Sequence, residues 1–258
     1  MSYLESMFSL EGKTAVVYGG GGHLCSEMSR VLALAGACVV VADMRLNKAE
    51  AVSDEIVAKG GRAVAAEARV ELPEDHRRVL RLALDAFGDV DILINGGGHN
   101  APTPFLEIPL EEWRAILDSH VTGTMLACQV FGEYMVGRGK GSIINLSSAS
   151  AGPPLSKAFT YSVAKAGILN LTKNLGREWG PSNVRVNALR PGFFPTEWSQ
   201  KHFIDAAREK SILGHTPMAR YGTPDELSGA VIWLASDASA FVTGAEIAID
   251  GGFSCMTI

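Results

Sequence analysis

Short apolar runs rich in β-branched residues alternate along the whole chain with segments of helical periodicity. Continuous apolar runs of this length are typical of parallel strands that helices cover on both faces. The predicted strands are 14–18, 37–42, 62–66, 92–95, 142–146, 184–189 and 246–249, and the predicted helices are 24–35, 48–59, 74–87, 110–136, 160–179 and 224–236. The alternation predicts an α/β fold built on a doubly wound, mainly parallel sheet of seven strands.

No linker or low-complexity segment interrupts this alternation, so residues 1–258 are expected to form a single domain. The irregular stretch at 193–220 comes late in the chain, where a lid over a substrate would lie. Hydrophobic residues make up 47% and charged residues 20% of the chain, which is ordinary for a globular protein. The net charge of -5 and the lack of a basic block leave no evident means of binding nucleic acid.

The N-terminal segment MSYLESMFSLEGK lacks the cationic start and apolar run of a signal peptide. The longest apolar stretch, 31–42, is too short to span a bilayer and contains Gly36. The four cysteines are scattered without the spacing of a metal site, which predicts free or buried thiols. We therefore expect a soluble, cytoplasmic protein with no metal and no membrane segment.

A glycine-rich segment, YGGGGHLC at 18–25, joins the first predicted strand to the first predicted helix. Such glycines let the backbone approach a pyrophosphate, as in Rossmann-type domains, although a plain turn is the alternative. Asp43 ends the second strand, 24 residues beyond Gly19. A carboxylate there binds the adenosine ribose hydroxyls and repels a 2′-phosphate, which favours NAD over NADP. Arg45 could face such a phosphate, but a solvated surface arginine is the simpler interpretation.

Tyr161 and Lys165 are spaced i,i+4 at the start of a predicted helix, which places them on one face. Ser148 lies 13 residues earlier, at the carboxyl end of a strand, where open α/β sheets bind ligands. An ammonium about 4 Å from a phenolate stabilises it by up to roughly 4 kcal/mol at an effective dielectric of about 20, so Lys165 is expected to lower the pKa of Tyr161. Tyr161 would then exchange a proton with a substrate oxygen held by Ser148, while hydride passes to or from a nicotinamide.

In these residues and their order the chain resembles the short-chain dehydrogenase/reductase family over nearly its whole length. The matching features are the glycine turn, Asp43, the run Asn95-Gly96-Gly97-Gly98, Ser148, Tyr161, Lys165, Asn187, Pro191-Gly192 with Thr196, and the closing Asp250-Gly251-Gly252. The resemblance implies an NAD(H)-dependent oxidoreductase that interconverts a secondary alcohol and a ketone. It also implies a homotetramer in which the last strand packs at an interface.

The resemblance further implies which residues bind the cofactor. Lys165 would also hold the nicotinamide ribose, and the stretch 191–196 would receive the carboxamide. With Asp43 and Tyr161, the implied contacts are Gly19, Gly22, His23, Leu24, Arg69, Val70, Asn95, Gly96, Pro191, Gly192, Phe194 and Thr196.

Three positions depart from the family pattern. His23 and Cys25 stand where glycines are usual, so we expect a reshaped turn. Arg69 aligns with an acidic residue that lies near the adenine, which would then be held differently. His120 aligns with an asparagine that often completes the catalytic set, and it would either relay a proton or pack the helix.

Candidate substrate residues lie in loops at the carboxyl ends of the strands: His99, Asn100, Ser150, Ser156, Phe193, Trp198 and His202. The stretches 95–100, 191–194 and 215–222 are similar to those of mannonate oxidoreductase and gluconate dehydrogenase members, which favours a sugar acid or polyol. Two alternatives are a 3-oxoacyl or other carbonyl reductase and a non-catalytic dinucleotide-binding or scaffold protein. Intact Ser148, Tyr161 and Lys165 favour an enzyme.

Overall fold

The computed structural model of the chain describes residues 2–196, 200–201 and 204–257. Its sheet has the strands β1 Thr14–Tyr18, β2 Cys38–Asp43, β3 Arg62–Glu67, β4 Ile92–Asn95, β5 Gly141–Leu146, β6 Val184–Pro191 and β7 Glu246–Ile249. They are all parallel, in the order β3-β2-β1-β4-β5-β6-β7. The predicted doubly wound sheet is confirmed. Every residue of β1, β2, β4 and β5 is buried, which explains their continuous apolar sequences.

The described helices are α1 Tyr3–Phe8, α2 His23–Leu34, α3 Leu46–Ala58, α4 Pro73–Phe87, α5 Leu110–Leu117, α6 Gly123–Arg138, α7 Phe159–Trp179, α8 Ala206–Gly214 and α9 Ser228–Ala235. Two apolar layers form, one on each face of the sheet. Met28 and Leu32 of α2 pack in the first layer with α3 and α9. Phe131 and Met135 of α6 pack in the second layer with α4 and the end of α7. None of the helices in these described ranges is long and apolar enough to cross a membrane.

Three helical features differ from the sequence prediction. The segment predicted as one helix, 110–136, is divided by a π-helical turn at Asp118–Thr122 between α5 and α6. The short helix α1 was not predicted because it buries no residue and therefore shows no apolar periodicity. The irregular stretch 193–220 contains α8, whose first turn is capped by the Asp205 carboxylate.

The sheet order reverses between β1 and β4, because the chain adds β2 and β3 on one side of β1 and then returns to add β4 on the other side. A crevice forms at the carboxyl ends of the strands at such a switch point, and ligands of open α/β sheets bind there. The glycine turn after β1, the glycine run after β4, Ser148 after β5 and the Pro191 segment after β6 all reach this edge. The fold thus gathers residues from four distant parts of the sequence.

Candidate active site

A cleft of about 510 Å³ at the carboxyl edge of the sheet brings Ser148, Tyr161 and Lys165 together. Ser148 follows β5 in an extended backbone conformation, and its Oγ accepts a hydrogen bond of 3.2 Å from the Ser150 N–H. Tyr161 and Lys165 lie one turn apart near the start of α7, so both side chains face the cleft. The three residues predicted from spacing therefore share one site.

Lys165 is held in the cleft wall by hydrogen bonds to the end of β5. Its side chain is 3% exposed, and Nζ donates a hydrogen bond of 2.7 Å to the Leu146 carbonyl. The Ser147 hydroxyl donates to the Lys165 carbonyl at 3.0 Å. Burial lowers the pKa of Lys165 to about 8, because the charged ammonium loses its hydration. The lysine is thus held firmly in place at the end of β5.

The pKa of Tyr161 is raised, because burial disfavours the phenolate, while the hydrogen bond with Ser148 acts in the opposite direction. The expectation that Lys165 lowers this pKa is wrong for this arrangement. Lys165 Nζ is bound to the Leu146 carbonyl and lies 5.4 Å from the centroid of the Tyr161 ring, and the effect of burial is larger. Tyr161 is therefore protonated near neutral pH and can donate to a substrate oxygen.

His120 lies in the π-helical turn and packs its ring edge to face with Tyr161, with the centroids 5.1 Å apart. Burial lowers the pKa of His120 well below its usual value, so its imidazole is neutral. Nε2 lies 2.9 Å from the His99 carbonyl and must carry the proton that this contact requires. Nδ1 is then an acceptor, and within the described residues it has no partner.

The glycine run after β4 leaves space for three neighbouring side chains. A Cβ on Gly96 would overlap the Cys25 sulfur, one on Gly97 would crowd Val70, and one on Gly98 would overlap the His120 ring. Gly98 also has a φ of 134°, which side-chain-bearing residues rarely adopt. Cys25 and His120, two departures from the family pattern, thus occupy space that glycines provide, and α2 still begins at His23, directly after the glycine turn.

The glycine turn fits a dinucleotide pyrophosphate. Gly19 has a φ of 69° and packs against the backbone of Gly96 and Gly97, so a side chain there would be strained and crowded. Gly22 caps α2 without a side chain, which leaves the first N–H groups of the helix for an anion. The cleft is lined here by Gly19, Gly22, His23 and Leu24, as expected. At its other wall are Pro191, Gly192, Phe193, Phe194 and Thr196.

A second pocket of about 480 Å³ adjoins the turn and has the position expected for the adenosine end of a dinucleotide. Asp43 lines it, 5% exposed, and its carboxylate accepts hydrogen bonds from the N–H groups of Gly21 at 3.1 Å and Arg45 at 3.0 Å. The Arg45 guanidinium is 60% exposed and 3.7 Å from Asp43, as expected for a surface arginine. Arg69 and Val70 also line this pocket, and the Arg69 guanidinium is paired with Glu71 at 2.7 Å.

Several residues predicted for the site take other positions. The Asn95 amide donates to Asn145 Oδ1 at 2.8 Å inside the sheet, and Asn95 is outside the described lining of both pockets. Ser156 is exposed and lies outside the described cleft lining. Its hydroxyl and carbonyl accept hydrogen bonds from Arg208. Trp198 and His202 lie outside the described residues. His99, Asn100, Ser150 and Phe193 line the cleft as predicted.

Lys157 and Arg208 line the cleft but were not predicted from the sequence. Lys157 belongs to an irregular loop, and Arg208 lies on α8, a helix that was expected only as an interruption of the fold. Neither position has a motif around it. Only the packing of α8 over the loop before α7 brings the two cations to the site.

The family model described as enoyl-(acyl carrier protein) reductase matches residues 24–254. The chain is 38% identical to UxuB, an uncharacterized oxidoreductase of Bacillus subtilis, over 95% of this chain and 96% of that protein. This similarity covers the glycine turn, the Ser148 loop and α7.

Two solved structures share the fold over nearly their whole lengths. A gluconate 5-dehydrogenase from Burkholderia cenocepacia, in complex with NADP and tartrate, is 30% identical with a TM-score of 0.94, covering 99% of this chain and 100% of that chain. A candidate D-mannonate oxidoreductase from Haemophilus influenza, with bound NAD, is 34% identical with a TM-score of 0.90, covering 96% and 97%. These matches, with the family model, establish that the chain belongs to the short-chain dehydrogenase/reductase family.

Proposed function

We propose that this oxidoreductase is NAD(H)-dependent and interconverts a secondary hydroxyl of a sugar acid or polyol with the corresponding ketone. The oxidoreductase class follows from the family. The observation that carries the substrate class is the polar part of the cleft lining: His99, Asn100, His120, Ser148 and Ser150. Three of these residues have a buried polar atom with no partner among the described residues, namely Ser150 Oγ, Asn100 Oδ1 and His120 Nδ1. Buried polar groups are nearly always hydrogen-bonded, so a ligand rich in hydroxyl groups fits this lining.

The residues of the chain divide the chemistry among them. Ser148 donates a hydrogen bond to the substrate oxygen and fixes its position beside Tyr161. Tyr161 passes its proton to that oxygen in reduction and takes it back in oxidation. Lys165 lies beside Tyr161 with its ammonium bound to the Leu146 carbonyl. The glycine turn and Asp43 would hold the dinucleotide. When bound, that dinucleotide supplies the hydride acceptor or donor.

Asp43 supports the choice of NAD over NADP. Its buried carboxylate lies at the end of β2 beside the adenosine pocket, where a 2′-phosphate would meet a like charge. Arg45 and Arg69 are the cations that could oppose this effect, but each already lies beside a carboxylate. Calorimetric titration with NADH and NADPH tests the proposal. Equal or tighter binding of NADPH would overturn it.

A substrate screen that follows nicotinamide absorbance tests the reaction and the substrate class together. Hexonates and polyols are compared by kcat/KM with steroids, aromatic alcohols and acyl thioesters. A site whose polar atoms pair with substrate hydroxyls rejects analogues that lack them, because those atoms would remain buried and unpaired. Tyr161→Phe, which lacks the transferable proton, is the control and should lose turnover while still binding NADH. Preference for an apolar substrate would refute the sugar-acid assignment and leave the oxidoreductase assignment standing.

A 3-oxoacyl or other carbonyl reductase is the second candidate, and the acyl carrier protein named in the description of the matching family model is its supporting observation. The apolar residues Leu155, Phe193 and Ile204 in the cleft lining would suit an acyl chain. Turnover of an acyl thioester with NADPH, at a higher kcat/KM than any hexonate, would establish this alternative.

A non-catalytic role is opposed by the arrangement of Ser148, Tyr161 and Lys165 in one cleft. A cytoplasmic location stays a prediction.

A further inference from the structure

The catalytic cleft is cationic although the protein as a whole is acidic. Its described lining contains Lys157, Lys165 and Arg208 and no aspartate or glutamate, whereas the chain carries a net charge of -5. Lys165 Nζ is already bound to the Leu146 carbonyl. Lys157 and Arg208 therefore remain for the part of a substrate that extends away from the reacting carbon.

Arg208 is placed by two independent contacts. Its backbone N–H, in the first turn of α8, donates a hydrogen bond of 2.8 Å to the carboxylate of the N-cap residue Asp205. Its guanidinium donates to the Ser156 carbonyl at 2.8 Å and to the Ser156 hydroxyl at 2.5 Å. A guanidinium has five N–H donors, and these two bonds leave three. Among the described residues no carboxylate lies within ion-pairing distance of Arg208, so its charge is not neutralised by a described partner.

Lys157 has a backbone conformation that glycine adopts more readily than a residue with a side chain. Its φ is 60°, a left-handed conformation that costs an L-residue about 1–2 kcal/mol. The Asn100 amide donates to the Lys157 carbonyl at 3.2 Å and holds the loop in this conformation. The ammonium lies 3.5 Å from Asp205, but both side chains are more than a third exposed, so this pair contributes little. Such backbone strain is common where a residue contacts a ligand.

We propose that Arg208 and Lys157 form a carboxylate-binding subsite at the outer end of the catalytic cleft. This rests on the proposed function and chooses between the two classes it leaves open: the substrate is a hydroxy acid, not a neutral polyol. A planar guanidinium with free N–H groups binds a carboxylate through two parallel hydrogen bonds. The lysine adds a second charge. Ser150 and Asn100 then face the hydroxyl groups between the carboxylate and Tyr161.

The simplest competing explanation is that Arg208 only ties α8 to the loop before α7. The two roles differ in what they select. A structural tie affects every substrate alike, whereas a carboxylate subsite acts on anionic substrates alone. Ser156→Ala removes one acceptor of the tie but keeps the Arg208 charge, so it should preserve the preference for an acid.

The first test compares a hexonate with the hexitol of the same hydroxyl configuration by kcat/KM. In the unaltered protein the hexonate should be preferred, and Arg208→Gln should lower the ratio of hexonate to hexitol by about tenfold or more, since charge-assisted hydrogen bonds are lost. Lys157→Gln should act in the same direction. Lys210→Gln is the control, because Lys210 is an exposed cation on α8 outside the described cleft lining. It should leave the ratio unchanged.

The second test needs no turnover. Tartrate is titrated calorimetrically into the NADH-loaded protein, and Arg208→Gln should weaken its binding by about tenfold or more. The proposal is overturned if the unaltered protein fails to bind tartrate, if Arg208→Gln binds it equally well, or if hexonate and hexitol lose turnover to the same degree. A protein that binds tartrate through Arg208 yet oxidises no alcohol would keep the subsite and refute the proposed reaction.

Discussion

Lys165, which we propose to take part in catalysis, is destabilising as a buried cation. Burial lowers its pKa from 10.5 to about 8, and this difference corresponds to about 3 kcal/mol against the charged form in the folded state. Below pH 8 both states carry the proton, so the full cost is present. Between pH 8 and 10.5 the folded protein has lost the proton that the unfolded chain keeps, so stability rises with pH through this window.

Lys165→Met is therefore expected to stabilise the ligand-free protein while abolishing turnover. At pH 7 the free energy of unfolding should rise by about 1–2 kcal/mol, less than the full cost because the Leu146 carbonyl loses its donor. The gain should shrink toward pH 10.5, where the unaltered protein no longer bears the cost. Urea unfolding at pH 7 and pH 10 measures both quantities. A variant less stable than the unaltered protein at pH 7 would contradict the assignment of a strained, buried ammonium.

His120 is the second residue whose role the structure makes testable. Its neutral ring offers Nδ1 as an unpaired acceptor beside Tyr161, and Gly98 gives it room. We expect His120→Asn to lower kcat by about tenfold or more, because the shorter amide does not reproduce the positioned acceptor, while NADH affinity stays unchanged. The pH profile of kcat should change as well. Turnover within threefold of the unaltered enzyme, with the same profile, would mean that His120 only packs.

At the scale of the elements, the glycine run after β4 and the start of α2 pack directly against each other. The Cys25 thiol is buried, with its pKa raised to about 12, and fills the space that Gly96 leaves. Gly96→Ala should destabilise the protein by about 1–3 kcal/mol, as overpacking of a full core does. Combined with Cys25→Ala, which removes the sulfur, the loss should be smaller than the sum of the single effects.

A double-mutant cycle by urea unfolding measures this coupling between Gly96 and Cys25. We expect a coupling free energy of about 1 kcal/mol or more, since the two sites are in direct contact. Gly137→Ala is the matched control, because a Cβ at Gly137 would meet no atom within 4 Å. Additive effects of Gly96→Ala and Cys25→Ala would show that the glycine is required by something other than the sulfur.

The elements differ in how well the sequence predicts them. The bounds of β1 and β4 match the prediction, because a strand buried on both faces is a continuous apolar run. The bounds of β7 match as well, although its residues are only partly buried. The π-helical turn at Asp118–Thr122 was missed, since an inserted residue leaves the helical composition unchanged. Ser148, Tyr161 and Lys165 were found by spacing along the sequence. Arg208 was not, because its place depends on how α8 packs against a loop some fifty residues away.

At the scale of the whole molecule, Leu106 and Phe241 are the most exposed of the large apolar residues that the structure describes. Leu106 is 97% exposed, with the partly exposed Phe105 and Phe159 beside it in ring contact. Phe241 is fully exposed and precedes β7, the strand at one edge of the sheet, whose residues are only partly buried. Protruding apolar side chains and an open sheet edge are typical of surfaces that another chain covers. Two separate surfaces fit a tetramer with two kinds of two-fold interface.

We accordingly expect a homotetramer of about 110 kDa, built from four chains of 27.4 kDa, when mass is measured by light scattering after size exclusion. Phe241→Glu places a charge at the exposed edge beside β7 and should convert the tetramer to a dimer, because burying an unpaired carboxylate is unfavourable. Leu106→Glu should separate the other interface in the same way. Leu34→Glu, at an exposed leucine on α2, is the control and should leave the tetramer intact. A mass of 27.4 kDa for the unaltered protein at micromolar concentration would refute the tetramer, and a tetramer that survives Phe241→Glu would show that the edge at β7 is not an interface.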